Sequence, residues 1–286
     1  MAVNLTDALI ERLLEVPSGL EARVYRAMRY SALAPGKRLR PLLVLAGSQL
    51  FGVARRSALQ VAAAIEMVHA YSLIHDDLPA MDNSDLRRGR PTCHKQFDDA
   101  TAVLAGDGLL TMAFEVLAHR DTHGDPTVRC DLVTALASAA GAAGMVGGQM
   151  IDLIAENQPL DIGEITRLQR MKTGALIAFS CEAGAILAKA GGELRTALRG
   201  YAHDLGLAFQ IADDLLDVEG SAAETGKPVG ADAVAGKATF VSLLGIERAR
   251  AQAELLVNQA VAHLDCFEER AELLRQVARF VVDRRT

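Results

Sequence analysis

Apolar side chains recur three or four positions apart along nearly the whole 286-residue chain, a spacing that suits helices and little else. Leu5, Leu9, Leu13 and Val16 form such a stripe early; Leu194, Leu198, Tyr201, Leu205 and Phe209 form another late. Strand-like alternation bounded by turns is not evident. Helix punctuation agrees: Asp125–Pro126 reads as a cap and first helical residue, and Asp161 with Glu164 has capping-box spacing. The expectation is an all-α protein of roughly ten helices. No linker, charge block or repeat divides it, so one domain spanning 1–286 is expected.

Bulk properties narrow the function classes. A net charge of -6 gives no reason to expect nucleic-acid binding. Cys93, Cys130, Cys181 and Cys266 lie far apart without a Cys-x-x-Cys pair, which fits reduced thiols better than a disulfide frame or zinc site. The first residues lack a basic leader and apolar core, so a cytoplasmic protein is expected. The apolar stretches 100–119 and 175–190 carry Asp107, Glu115 and Glu182 and read as buried helices, with no membrane span. The small-residue run from Gly141 to Gly148 reads as a place where helices approach closely.

Two acidic clusters break the apolar pattern. In HAYSLIHDDLPAMD, an apolar helix runs into Asp76, Asp77, Pro79 and Asp82. Six residues along an unbroken helix would turn Asp82 about 120° from Asp76; a bend at Pro79 can return it. No basic residue three or four positions upstream offsets Asp76 and Asp77, so a hard divalent cation is the expected partner. In FQIADDLLD, Gln210, Asp213 and Asp217 share one helical face with no Lys or Arg bridging them. Two such helices suggest opposing walls of one cleft with metal ions between them.

Cations stand where anions would be met. Pro35-Gly36-Lys37-Arg38-Leu39-Arg40-Pro41 reads as a turn entering a helix, and its cations oppose the helix dipole unless an anion sits there. Arg87 and Arg88 follow the first cluster closely; Lys172, Lys227 and Lys237 stand in Gly-containing breaks. His69, seven residues before Asp76 on the same helical face, reads either as a diphosphate contact or as a hydrogen-bonded core residue.

GKRLRP, DDLPAMD followed by LRRGRPT, KTGAL, FQIADDLLD and GKATF, in that order, resemble the trans-prenyl diphosphate synthases, above all the bacterial farnesyl diphosphate synthases. The resemblance covers nearly the whole chain. It implies the isoprenoid synthase fold, an all-α single-domain bundle with a central active-site cavity, usually a homodimer, with three magnesium ions (Mg2+) on the allylic diphosphate. By that likeness Asp76 and Asp82 bind two ions with Asp77 in support, and Asp213 binds the third with Asp217 reached through water. Arg87, Lys172 and Lys227 would hold the allylic diphosphate. Gly36, Lys37, Arg40, His69 and Arg88 would hold isopentenyl diphosphate, while Lys237 adds a further cation and Thr173 and Gln210 lie near the developing carbocation. Tyr71, with Ser72 beside it, would form the pocket floor that sets product length. One departure is Asn83-Ser84, where such enzymes often carry two more aspartates.

The reaction so implied ionises an allylic diphosphate, dimethylallyl or geranyl, and joins it to isopentenyl diphosphate with loss of a proton, giving farnesyl diphosphate. A geranylgeranyl diphosphate synthase is the nearest alternative. A terpene cyclase needs no second diphosphate site and commonly lines its pocket with aromatics, which make up only 4% of this chain. A non-catalytic helical partner would be expected to have lost one acidic cluster.

Overall fold

A computed structural model describes residues 2–155, 158, 160–219 and 239–283. Within them the chain runs through α1 (Ala2–Leu13), α2 (Ala22–Ala32), α3 (Leu39–Leu50), α4 (Arg55–Asp76), a two-residue hairpin of β1 (Leu86–Arg87) and β2 (Arg90–Pro91), and α5 (Cys93–Gln96). It continues through α6 (Asp99–Ala118), α7 (Pro126–Ala140), α8 (Met145–Ala155), α9 (Ile162–Gln169), a π-helical turn (Arg170–Gly174), α10 (Ala175–Leu187) and α11 (Gly192–Glu219). Then follow α12 (Phe240–Leu244), α13 (Ile246–Ala262), a 3₁₀ segment (Asp265–Ala271) and α14 (Glu272–Asp283). The described residues thus hold more helices than the sequence suggests, because α5 and α12 are too short to show periodicity.

The hairpin is the one sheet among the described residues. Arg88 (φ 52°) and Gly89 (φ 74°) both take the left-handed conformation that a tight two-residue hairpin requires. Local punctuation matches expectation elsewhere. Asp125 accepts from the Thr127 amide at 2.8 Å with Pro126 beginning α7, and Asp161 and Glu164 form a reciprocal capping box.

Two apolar clusters make up the interior. One gathers α1, α2, α4, α6 and α7; the other gathers α9, α11, α13 and α14. α3 and α10 serve both: Val44 and Leu176 belong to the first, Leu43 and Ile177 to the second. These two helices touch backbone to backbone, since a Cβ at Gly184 would run into the Gly47 main chain. Alanine at Gly184 would force them apart at a cost of about 1–3 kcal/mol.

In α1 and the turn that ends it the buried residues are Thr6, Leu9, Ile10 and Leu14; Leu5 and Leu13 only border them. In α11, Leu198, Tyr201 and Leu205 are buried as expected, and the Tyr201 hydroxyl donates to the Leu274 carbonyl at 2.8 Å. Contrary to the expectation from its charges, α6 is long and apolar enough to cross a membrane by length and composition, as are α4 and the segment 126–155. Packing gives α4 its place instead, with 72% of its apolar window buried in protein.

Candidate active site

The first acidic cluster closes α4. Pro79 ends the helix, and the chain coils back so that the Asp82 amide donates to the Asp76 carbonyl at 2.9 Å. The bend therefore returns Asp82 to Asp76. Asp76 accepts from Gln149 Nε2 at 2.7 Å and lies 3.6 Å from Arg87 Nη2. Burial holds the Asp76 carboxyl above its ordinary range; Lys172 and Arg87 pull it down, and Asp82 and Asp77 push it up.

Asp77 turns the other way and is 3% exposed. Arg87 Nε donates to its two oxygens at 2.9 and 2.8 Å, and Arg87 Nη2 to Oδ1 at 2.7 Å. At Asp77 the partner is an arginine where a divalent cation was the expectation: the counter-charge arrives from the hairpin ten residues on, outside the reach of helical spacing. Asn83 (φ 47°) and Ser84 serve the returning turn, the Ser84 carbonyl accepting from Thr92 Oγ1 at 2.7 Å.

α11 divides its aspartates in the same manner. Asp214, 3% exposed, accepts from the Phe240 amide at 2.9 Å and from Gln210 Nε2 at 3.2 Å, while Asp213 and Asp217 are partly exposed. Gln210 Oε1 in turn accepts from Thr173 Oγ1 at 3.3 Å, tying α11 to the π-helical turn. That turn carries Lys172, whose Nζ donates to Asp152 of α8 at 2.6 Å. α8 comes this close because of the small-residue run: a Cβ at Gly148 would overlap the Lys172 main chain. Single π turns inside helices recur at functional sites, where they re-aim side chains.

The basic wall is built from α3, α4 and the hairpin. Arg38, the N-cap of α3, is buried and points inward to Asp7 and Glu66, so it is not one of the cations left for an anion. Arg40 Nε is buried without a hydrogen-bond partner. Burial lowers the Arg40 pKa; Glu66 of α4 raises it, Arg88 lowers it and Asp213 of α11 raises it. Arg88 Nη1 donates to the Pro35 carbonyl at 2.6 Å, beside Gly36; Lys37 is exposed. His69 is held neutral: burial, then Arg40, Arg88, Arg87 and Arg38, push its pKa well below the usual value. Tyr71 is buried edge-on to His75 at 5.7 Å between ring centres, and Ser72 Oγ donates to the His69 carbonyl at 2.8 Å. Lys227 and Lys237 lie outside the described residues.

Gln149, Asp152 and Glu66 were not singled out by the sequence reading. Two polar residues three apart in the otherwise apolar Met145–Ala155, and one carboxylate in alanine-rich α4, were the available signals.

This fold, with acidic ends of α4 and α11 facing a basic wall, defines an isoprenoid synthase. It superposes on the crystal structure of an FPP/GFPP synthase from Zymomonas mobilis with a TM-score of 0.91 at 54% identity, covering 98% of this chain and 96% of that one. The chain belongs to the polyprenyl synthetase family, whose model matches residues 21–277. Among its relatives is the farnesyl diphosphate synthase of Escherichia coli, 46% identical over 271 residues covering 91% of this chain and 89% of that protein. The farnesyl diphosphate synthase of Geobacillus stearothermophilus is 47% identical over 244 residues, 85% of this chain and 82% of that protein.

Prenyl transfer in this family uses magnesium. Among the described residues no three His, Cys, Asp or Glu side chains form a metal cage by themselves. The partly exposed carboxylates of Asp76 and Asp213 are oxygen donors of the kind magnesium takes, one or two per ion, while substrate phosphates and water complete its shell.

Proposed function

We propose that this chain condenses isopentenyl diphosphate with allylic diphosphates, dimethylallyl and then geranyl, to give farnesyl diphosphate. The reading is supported by the carboxylates of two helices that each have cations near them. Asp76 of α4 lies in the field of Lys172 and Arg87, and Asp213 of α11 in that of Arg40. Two sets of cations suit two diphosphates, where a cyclase needs only one.

In this reading Asp76 and Asp82 hold two magnesium ions and Asp213 the third, with Asp217 acting through water. Bound there, magnesium supplies positive charge to the departing diphosphate. Arg87 and Lys172, with Lys227, dock the allylic diphosphate, and their charge favours its departure. Gly36, Lys37, Arg40, His69 and Arg88 dock isopentenyl diphosphate so that its double bond faces the allylic carbon; the proton then lost goes to the departed diphosphate. Gln210, fixed by its bond to Asp214, and Thr173 present oxygens toward the developing cation. Asp77 supports the metal site indirectly, by orienting Arg87.

Tyr71, buried five residues before Asp76, closes the pocket and stops growth at fifteen carbons. A longer product is the second reading, favoured by the two product names carried by the Zymomonas mobilis relative. The chain acts as a single domain in the cytoplasm and pairs as a homodimer; exposed Val103 and Leu104 of α6 and Val146 and Met150 of α8 offer apolar surface for that contact.

The test is incubation with magnesium, isopentenyl diphosphate and each allylic diphosphate in turn, measuring diphosphate release and product length. Release without isopentenyl diphosphate would indicate a cyclase, and no release a non-catalytic role. Tyr71→Ala should move the product to twenty carbons or more; an unchanged chromatographic profile removes Tyr71 from that role.

A further inference from the structure

Each set of cations in the site has its own carboxylate behind it. Arg87 rests on Asp77, and Lys172 on Asp152. The third set, Arg38, Arg40 and Arg88, has Glu66, one turn before His69 on α4 and only 4% exposed.

Arg38 Nη1 donates to Glu66 Oε1 at 3.0 Å, its Nε to Asp7 at 2.8 Å and its Nη2 to the Ala32 carbonyl at 3.1 Å. These bonds hold Arg38 at φ 49°, ψ 38°, a left-handed conformation that an arginine adopts only under constraint. Arg38 begins α3, so its placement fixes Gly36 and Lys37 before it and Arg40 after it. From the other side Arg88, also left-handed at φ 52°, bonds to the Pro35 carbonyl. Three guanidinium groups gathered this closely repel one another, and burial removes the water that would screen them. Glu66 is the carboxylate whose field reaches all three.

We infer that Glu66 is the positioning residue of the isopentenyl diphosphate site: a resident counter-charge that keeps the turn Pro35–Arg38, Arg40 and Arg88 assembled before the second diphosphate arrives. This rests on the condensation reading above. Since Asp77 and Asp152 support the other cations, the effect of losing Glu66 falls on one substrate only.

The test is steady-state kinetics of Glu66→Gln, which keeps the shape and removes the charge. KM for isopentenyl diphosphate should rise by about tenfold, while the allylic KM stays within about twofold and kcat within about threefold. Glu66→Asp should recover part of the loss. An isopentenyl diphosphate KM that is unchanged or lower, or equal rises in both KM values, overturns the inference. If circular dichroism shows Glu66→Gln unfolded, Arg38→Met/Glu66→Gln removes the buried pair as a unit. A raised isopentenyl diphosphate KM there beside an unchanged allylic KM supports the role, and a wild-type value overturns it, because the site then assembles without the pair. A wild-type enzyme that fails to consume isopentenyl diphosphate would sink the condensation reading itself; normal wild-type turnover beside an unaffected Glu66→Gln sinks only this inference.

Discussion

At the end of α4 the inner aspartate, Asp77, is gripped by Arg87, whereas in α11 its counterpart Asp214 takes the Phe240 amide and the Gln210 side-chain amide. Both doublets bury one carboxylate, Asp77 or Asp214, and keep the other, Asp76 or Asp213, partly exposed. The partners differ in kind. The α4 wall is held by full charges that also belong to the proposed substrate site, so its structure and its chemistry are coupled. On α11 the partners of Asp214 include two amides, the Gln210 side chain and the start of α12.

The broadest way to break this comparison is to remove the partly exposed carboxylates. Asp76→Ala and Asp213→Ala should each lower turnover by roughly 10³-fold, measured as diphosphate release, because both walls lose a ligand for positive charge. Full activity in either variant would remove that residue from the site.

Replacing the inner carboxylates should expose the asymmetry. Asp77→Asn leaves Arg87 with only its longer ion pair, to Asp76 at 3.6 Å. Breaking a fully buried pair costs about 3–5 kcal/mol, and with the Arg87 side chain 24% exposed about 2 kcal/mol is expected here. The allylic KM should rise with it, by about tenfold, as Arg87 leaves its position. Asp214→Ala should cost a comparable 1–3 kcal/mol through the unpaired Phe240 amide, yet leave the allylic KM within about twofold. Equal effects of the two substitutions on the allylic KM, read beside urea unfolding midpoints, would erase the distinction.

The same contrast explains what could be read from the sequence. Caps at Asp125 and Asp161, the return of Asp82 around Pro79 and the close approach at Gly148 all follow from contacts within a few residues or from side-chain size. The pairing of Asp77 with Arg87 does not, because it crosses a hairpin whose left-handed turn starts at an arginine, a residue that gives no turn signal. In α1, Leu5–Leu9–Leu13 and Leu9–Ile10–Leu14 are interleaved apolar stripes, and periodicity alone does not choose between them. Gln149, Asp152 and Glu66 emerge only once α8 and α3 are packed against the elements they serve.

The smallest effect separates the walls by pH. His69 lies on the α4 side, and burial followed by Arg40, Arg88, Arg87 and Arg38 pushes its pKa well below the ordinary value of 6.5. An imidazole whose pKa is lowered by folding binds a proton more readily in the unfolded chain. Stability is thus unaffected above pH 6.5 and falls as pH drops from there toward the folded-state value, by up to about 1.4 kcal/mol per pH unit. Between pH 7.5 and 5.5 the wild-type protein should lose about 1 kcal/mol that His69→Gln retains, measured as the shift in urea midpoint. Glu66 and Asp76 do not mimic this, because their carboxyls are raised by burial and acid relieves that cost. Identical pH slopes for wild type and His69→Gln would mean that neither burial nor the four arginines disfavours a proton on His69 in the folded protein.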